Sequence, residues 1–378
     1  MKIGILTLPL HTNYGGILQA YALQTVLERM GHEVVEIEKK QKGKDCLWNL
    51  AFQFVPRLFN RIVFKSDIQL CPELFKSKFE PVIRRHTNGF VGRYLHVKSG
   101  LSYEEVVGSC RLDYLVVGSD QVWRPLYVDN IEDYFIGFSP EMTTKRISYA
   151  ASFGVDKWEF SDEQTRRCSA LAKRFAAISV REKSGVDFCN KYLGVNAVQV
   201  LDPTLLLEQA DYVRLLDMTN KEGMAGNLFC YILDKTARKK SMIDDFARMS
   251  GLTPFYTKAK KPATLKNCIR NIGDCVIPGV TDWVKSFVNA ELVITDSFHG
   301  CVFSIIFNKP FWVFVNSDRG AARFNSLLSI FNLSDRILSA DTDLAHFDWR
   351  KSIDWEFVNK QREIHKANSI SFLKTHLI

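Results

Sequence analysis

At 378 residues the chain exceeds what a single hydrophobic core ordinarily organises, so two domains are expected. Its 46% apolar and 24% charged residues are the composition of a soluble globular protein, and no apolar run reaches the roughly 18–20 residues needed to span a bilayer. The net charge of +8 favours anionic partners without choosing among phosphorylated metabolites, nucleic acid and lipid surfaces.

In chain order, "KIGILTL" (2–8) reads as a central parallel strand. The loop "PLHTNYGG" follows, then the helix "ILQAYALQTVLERMG", with Ile17, Tyr21, Val26 and Leu27 on one face and Gly31 as its stop. "HEVVEIE" (32–38) is the second strand, completing the opening unit of a doubly wound α/β domain. Residues 41–110 read as a long, partly helical insertion. Inside it, "CLWNLAFQFVPRLFNRIVFK" (46–65) follows the cationic "KKQKGK" (39–44). Two readings stay open there: a segment lying on an anionic membrane surface, or a helical cover over the first domain.

Apolar runs ending in small or polar residues resume at "DYLVVGSD" (113–120), "RISYAASFG" (146–154), "FAAISVRE" (175–182) and "AVQVLDPT" (197–204). In a parallel sheet those endings gather at the carboxyl edge, where such domains bind ligands. "LDPTLLL" marks the crossing between domains. A second set comprises "NLFCYIL" (227–233), a helix near 239–250, "TPFYTKA" (253–259), "DCVIPG" (274–279), a helix near 281–289, "AELVITD" (290–296), a helix near 299–307 and "KPFWVFVN" (309–316). The expected organisation is an N-terminal α/β domain over 1–204, a C-terminal α/β domain over 205–340 and a helical tail over 341–378. The fold class is thus α/β, with two Rossmann-like doubly wound domains facing a cleft, an arrangement analogous to the GT-B architecture of many glycosyltransferases.

Chemistry concentrates in "ELVITDSFHG" (291–300), where Asp296 or Ser297 caps a short helix and His299 falls in its first turn. Unpartnered N–H groups at a helix start attract phosphate or carboxylate, and Gly300 lets a ligand approach closely. An imidazole there suits proton transfer. Capping alone explains the Asp and Ser, but not a His before Gly at a strand's carboxyl edge. Beyond the next strand, "NSDRGAARFN" (316–325) offers Arg319 and Arg323, whose guanidiniums grip carboxylate or phosphate bidentately. In the first domain, Asn13, Tyr14, Gly15 and Gly16 make a loop for close sugar approach, with Tyr14 as a stacking face. Ser119, Asp120 and Gln121 sit at another strand end. Arg181 and Glu182 end a third, where a salt bridge between domains is the alternative use.

The nine cysteines include no C-x-x-C pair and the eight histidines no H-x₃-H pair, so no metal site is expected. With no signal peptide at the start, reduced thiols and a cytoplasmic location are expected, with a peripheral position on the membrane's inner face as the option that 46–65 leaves open.

The motifs "NYGGILQAYALQ", "VVGSDQVW", "SYAASFG", "SVRE", "LDPTLLL" and "LVITDSFHG…FNKPFWVF", in this order over about residues 1–330, resemble the polysaccharide pyruvyl transferase family. The resemblance implies a GT-B-like enzyme that moves the enolpyruvyl unit of phosphoenolpyruvate onto a sugar and releases phosphate. The usual product is a pyruvate ketal on a polysaccharide or its precursor. It implies His299 as the family's HG histidine, Arg181 as the arginine of S-x-R-[DE], and Arg319, with Arg323 as rival, as the basic residue after the following strand. Phosphoenolpyruvate is then the donor, held by these cations with Ser297 and Gly300 on the C-terminal side. A sugar, free or lipid-linked, is the acceptor on the N-terminal side. No cofactor and no nucleic acid are expected. The competing readings are a GT-B glycosyltransferase using a nucleotide sugar and a non-catalytic sugar- or phosphate-binding protein.

Overall fold

The computed structural model describes residues 1–39, 72–138, 143–216, 226–315, 320–339, 342 and 347–378, with the backbone alone for 72–77. The segment 46–65 and Arg319 lie outside the described residues. Two parallel sheets organise the chain. The first contains β1 (Lys2–Leu6), β2 (Glu33–Lys39), β3 (Val97–Gly100), β4 (Tyr114–Val117), β5 (Lys145–Ala151), β6 (Ala177–Val180) and β7 (Val198–Gln199). Their order is β3-β2-β1-β4-β5-β6-β7. The second contains β8 (Leu228–Tyr231), β9 (Pro254–Phe255), β10 (Leu292–Thr295), β11 (Phe311–Phe314) and β12 (Ile337–Leu338), in the order β12-β11-β10-β8-β9.

These orders identify where ligands can enter. In each sheet the strand order reverses once, between β1 and β4 in the first and between β8 and β10 in the second. Loops leave such a reversal in opposite directions and open a crevice at the carboxyl edge. The central strands are buried on both faces, as "YLVV" and "LVIT" show, because helices cover each side of a parallel sheet.

The elements depart from the sequence reading in several places. The first helix begins at Tyr14 rather than Ile17, so the two glycines of the loop are its first turn. The later part of the 41–110 insertion returns β3 to the sheet edge; "VKSG" lacks apolar alternation because an edge strand faces water. "DCVIPG" is not a strand. A 3₁₀ turn (Ile272–Cys275) runs into its first two residues, and Ile277 N–H donates to the Ile83 carbonyl (3.0 Å) instead of a sheet partner. The tail is helical, as the sequence suggests. Its helix Trp355–His376 crosses back onto the first domain, where Ser369 Oγ accepts from Leu201 N–H (3.0 Å) and the Tyr114 hydroxyl donates to the Ile378 carbonyl (2.7 Å).

The domains share a core. Ile17 and Leu23 of the first helix belong to the same apolar cluster as Trp283, Phe287 and Phe303 of the second domain. Aromatic contacts carry the cluster across, with Tyr14 stacked 5.6 Å from Trp283 and Tyr212 4.9 Å from Phe303.

Candidate active site

At the second reversal, β10 ends at Thr295 and the helix Phe298–Ile306 begins three residues later. Ser297 is its N-cap, the side chain accepting from Gly300 N–H (3.4 Å). Asp296 does not cap. Its carboxylate accepts from Leu233 N–H (2.7 Å), Asp234 N–H (3.0 Å) and Lys239 Nζ (2.7 Å), tying down the loop after β8. Gly300 serves packing rather than ligand approach: a Cβ there would stand 2.2 Å from Thr295 Oγ1. His299 falls in the first turn and is only 6% exposed. It belongs to the second domain, yet its polar surroundings belong to the first. Nε2 lies 3.5 Å from Asp202 Oδ2, and a Cβ on Gly15 would stand 2.1 Å from Nδ1.

Asp202, from "LDPT", anchors the opposing wall. Its Oδ1 accepts from Thr204 N–H (3.0 Å) and Thr204 Oγ1 (2.6 Å). Its Oδ2 accepts from Arg181 (2.9 Å) and Ser119 Oγ (3.1 Å). Burial by itself would raise this carboxyl, but His299 and Arg181 beside it outweigh burial and hold it well below the usual carboxylate range. Arg181 also stands 3.8 Å from Asp120 Oδ1. Burial opposes its charge, while Asp202 and Asp120 raise its pKa on balance. Asp120 adopts a left-handed backbone (φ 78°), which Asp tolerates better than most residues, and accepts from Asn13 Nδ2 (3.3 Å). The interdomain salt bridge considered for Arg181 and Glu182 does not form. Both acids beside Arg181 are first-domain residues, and Glu182 accepts from Phe153 N–H (2.7 Å) and Ser152 Oγ (3.1 Å).

Arg323 approaches from the second domain. Its guanidinium lies 5.8 Å from the Phe298 ring, and that of Arg181 lies 4.4 Å from the same ring. Burial, then repulsion from Arg181, push Arg323 down to about 10. Gly320 (φ 103°) packs directly on the first domain: a Cβ there would stand 1.8 Å from the Gly154 carbonyl oxygen. Lys183 N–H donates to Ser326 Oγ (3.1 Å) nearby.

Several first-domain residues expected to contact an acceptor are used differently. Tyr14 donates its hydroxyl to the Pro278 carbonyl (2.9 Å) and presses its ring against Trp283, so its stacking face is covered. Ser119 is fully buried and supports Asp202. Gln121 is folded over Gly154, where a Cβ would stand 2.1 Å from its Oε1. Asn13 is exposed and stays near Asp120, while Gly15 and Gly16 bring the first helix close to His299 and Asp120. Sequence reasoning missed Asp202 and Phe298. A carboxylate at a strand's carboxyl edge was the available signal for Asp202; nothing in the sequence marked Phe298 as the ring between two arginines.

The arrangement joins an imidazole, a buried carboxylate and two guanidiniums in one interdomain crevice. It can move a proton and stabilise negative charge.

No curated protein matches the sequence. Among solved structures, the chain is similar to UGT71G1 of Medicago truncatula complexed with UDP-glucose, at 11% identity and TM-score 0.47, covering 98% of this chain and 97% of that one. It is also similar to UDP-N-acetylglucosamine 2-epimerase of Rickettsia bellii, at 11% identity and TM-score 0.46, covering 99% and 98%. A family model described as polysaccharide pyruvyl transferase matches residues 13–318, which include Asp120, Arg181, Asp202 and His299 but not Arg323. The chain therefore belongs to the polysaccharide pyruvyl transferase family, a family of enzymes.

Proposed function

We propose that the chain transfers the pyruvyl unit of phosphoenolpyruvate to two hydroxyls of a sugar, forming a ketal on a polysaccharide or its precursor. The observation that carries this reading is the meeting of His299 with Asp202, Arg181 and Arg323 across the domain boundary. Phosphoenolpyruvate bears a carboxylate and a phosphate on neighbouring atoms, and a pair of guanidiniums suits both. Arg319 is the other candidate cation, and Ser297 lies at the start of the helix that carries His299.

In the proposed reaction, protonated His299 delivers its proton to the methylene carbon of phosphoenolpyruvate, leaving C2 electron-poor. An acceptor hydroxyl adds to C2, and its proton restores the imidazole. The C2–O bond to phosphorus then breaks, phosphate carrying away the electron pair. A second hydroxyl adds to C2 and gives up its proton to the released phosphate, closing the ketal. Asp202 Oδ2, 3.5 Å from Nε2, orients the ring. The scheme balances with no cofactor.

The test is phosphate release from phosphoenolpyruvate with a panel of sugar, nucleotide-sugar and lipid-linked acceptors, comparing the native chain with His299→Ala. A loss of about 10²–10⁴-fold in kcat is expected. Unchanged turnover in the variant would remove His299 from the mechanism. Binding of nucleotide sugars with no effect of phosphoenolpyruvate would instead support a glycosyltransferase.

A further inference from the structure

The loop leaving edge strand β9 and the helix after it, residues 256–271, carry Lys258, Lys260, Lys261, Lys266 and Arg270. All five are exposed. Across 256–276 the sole carboxylate is Asp274, which pairs with Lys261 (2.8 Å), so this short surface has a net charge of +4 against +8 for the whole chain. Charge alone would describe a solvated face. The apolar side chains argue otherwise: Ile269 is 70% exposed, Leu265 49% and Tyr256 41%. Leu265 and Ile269 are four residues apart on the helix Leu265–Asn271, hence on one side of it. Cys268 of that helix faces inward with Cys275 and Ile83, which fixes the helix on the domain and leaves the apolar pair outward.

We infer that this surface docks on a bilayer carrying anionic headgroups. Lysines and arginine meet the headgroup phosphates, while Leu265 and Ile269 enter the acyl boundary. A soluble polyanion would match the cations but give the apolar pair no partner. The position fits a membrane-facing role. Pro278, shortly beyond the surface, receives the Tyr14 hydroxyl at the domain boundary, so docking would hold the mouth of the interdomain crevice near the lipid. Among the described residues no helix is long and apolar enough to cross a membrane, so the contact is peripheral. The inference does not depend on the reaction proposed above.

Co-sedimentation of the full chain with phosphatidylcholine vesicles, with and without phosphatidylglycerol, tests it. Binding is expected only with phosphatidylglycerol and should weaken as salt rises. Combined Lys258→Gln, Lys260→Gln, Lys266→Gln and Arg270→Gln should weaken it roughly 100-fold, at about fivefold or less per charge. Leu265→Ser with Ile269→Ser should weaken it about tenfold or more. Melting temperatures near native for both variants would show that the fold is intact; a variant that fails this check is replaced by its single substitutions. No binding to phosphatidylglycerol vesicles at low salt overturns the inference. So does undiminished binding in both variants, which would place the lipid contact elsewhere. Loss in the charge variant alone, with full competition by heparin, would mark a polyanion site and overturn it equally.

Discussion

The two walls of the crevice present the same group, a guanidinium beside Phe298, in opposite electrostatic states. Arg181 on the first-domain wall stands between Asp202 and Asp120, and its charge is stabilised. Arg323 on the second-domain wall is pushed down by burial and by Arg181 itself. One guanidinium is therefore held by the carboxylates of its own domain, while the other is disfavoured by burial and by its neighbour. The difference teaches that the two arginines are not equivalent: Arg181 belongs to a buried carboxylate network of the first domain, and Arg323 is set against it from the second.

Substitution breaks that comparison most directly. Arg181→Met leaves Asp202 and Asp120 without their buried countercharge and should cost about 3–5 kcal/mol of stability, read by denaturant unfolding. Arg323→Met should cost less stability, because burial and Arg181 already disfavour its charge, and under the proposed reaction it should raise the phosphoenolpyruvate KM about 10–100-fold. Equal destabilisation by both would erase the distinction. Gly15→Ala probes how closely the walls meet. Its methyl would collide with the His299 ring, so kcat should fall about tenfold or more as the crevice fails to close, with a larger radius of gyration in X-ray scattering. A variant with native activity would mean that closure at Gly15 is not needed.

The smallest effect lies away from the crevice. Glu36 in β2 is buried with no hydrogen-bond partner for either carboxyl oxygen among the described residues, and burial, with Glu28 nearby, raises its pKa well above the ordinary value. Its folded pKa exceeds the unfolded one, so the fold favours the protonated form. The group costs nothing below the unfolded carboxyl pKa and destabilises increasingly as pH rises towards the folded value. Glu36→Gln should thus raise the melting temperature by a few degrees at neutral pH and make no difference near pH 3. An equal shift at both pH values would exclude titration as the cause.

Much of this was legible beforehand. The strand–loop–helix–strand opening and the apolar runs at 113–204 and 227–316 locate both sheets, because parallel strands buried on two faces must be continuously apolar. Short or polar edge pieces were not legible. β3 has no alternation to detect, and "DCVIPG" has a strand's composition while its Ile277 N–H pairs with the Ile83 carbonyl. At the site, His299 stood out by chemistry and placement. Tyr14 and Gln121 pack against neighbouring groups that the sequence did not foretell, because a polar residue near a glycine reads the same whether it faces a ligand or a neighbouring domain.

By itself, then, the sequence determined the α/β class, the paired domains and the histidine at a helix start, since periodicity and capping act over a few residues. The tertiary structure decided which charges meet. Asp202 lies 97 positions before His299 in the chain, and only packing one domain's carboxyl edge against the other's brings them to 3.5 Å. Coulomb energy depends on that distance and on burial, neither of which a linear pattern contains.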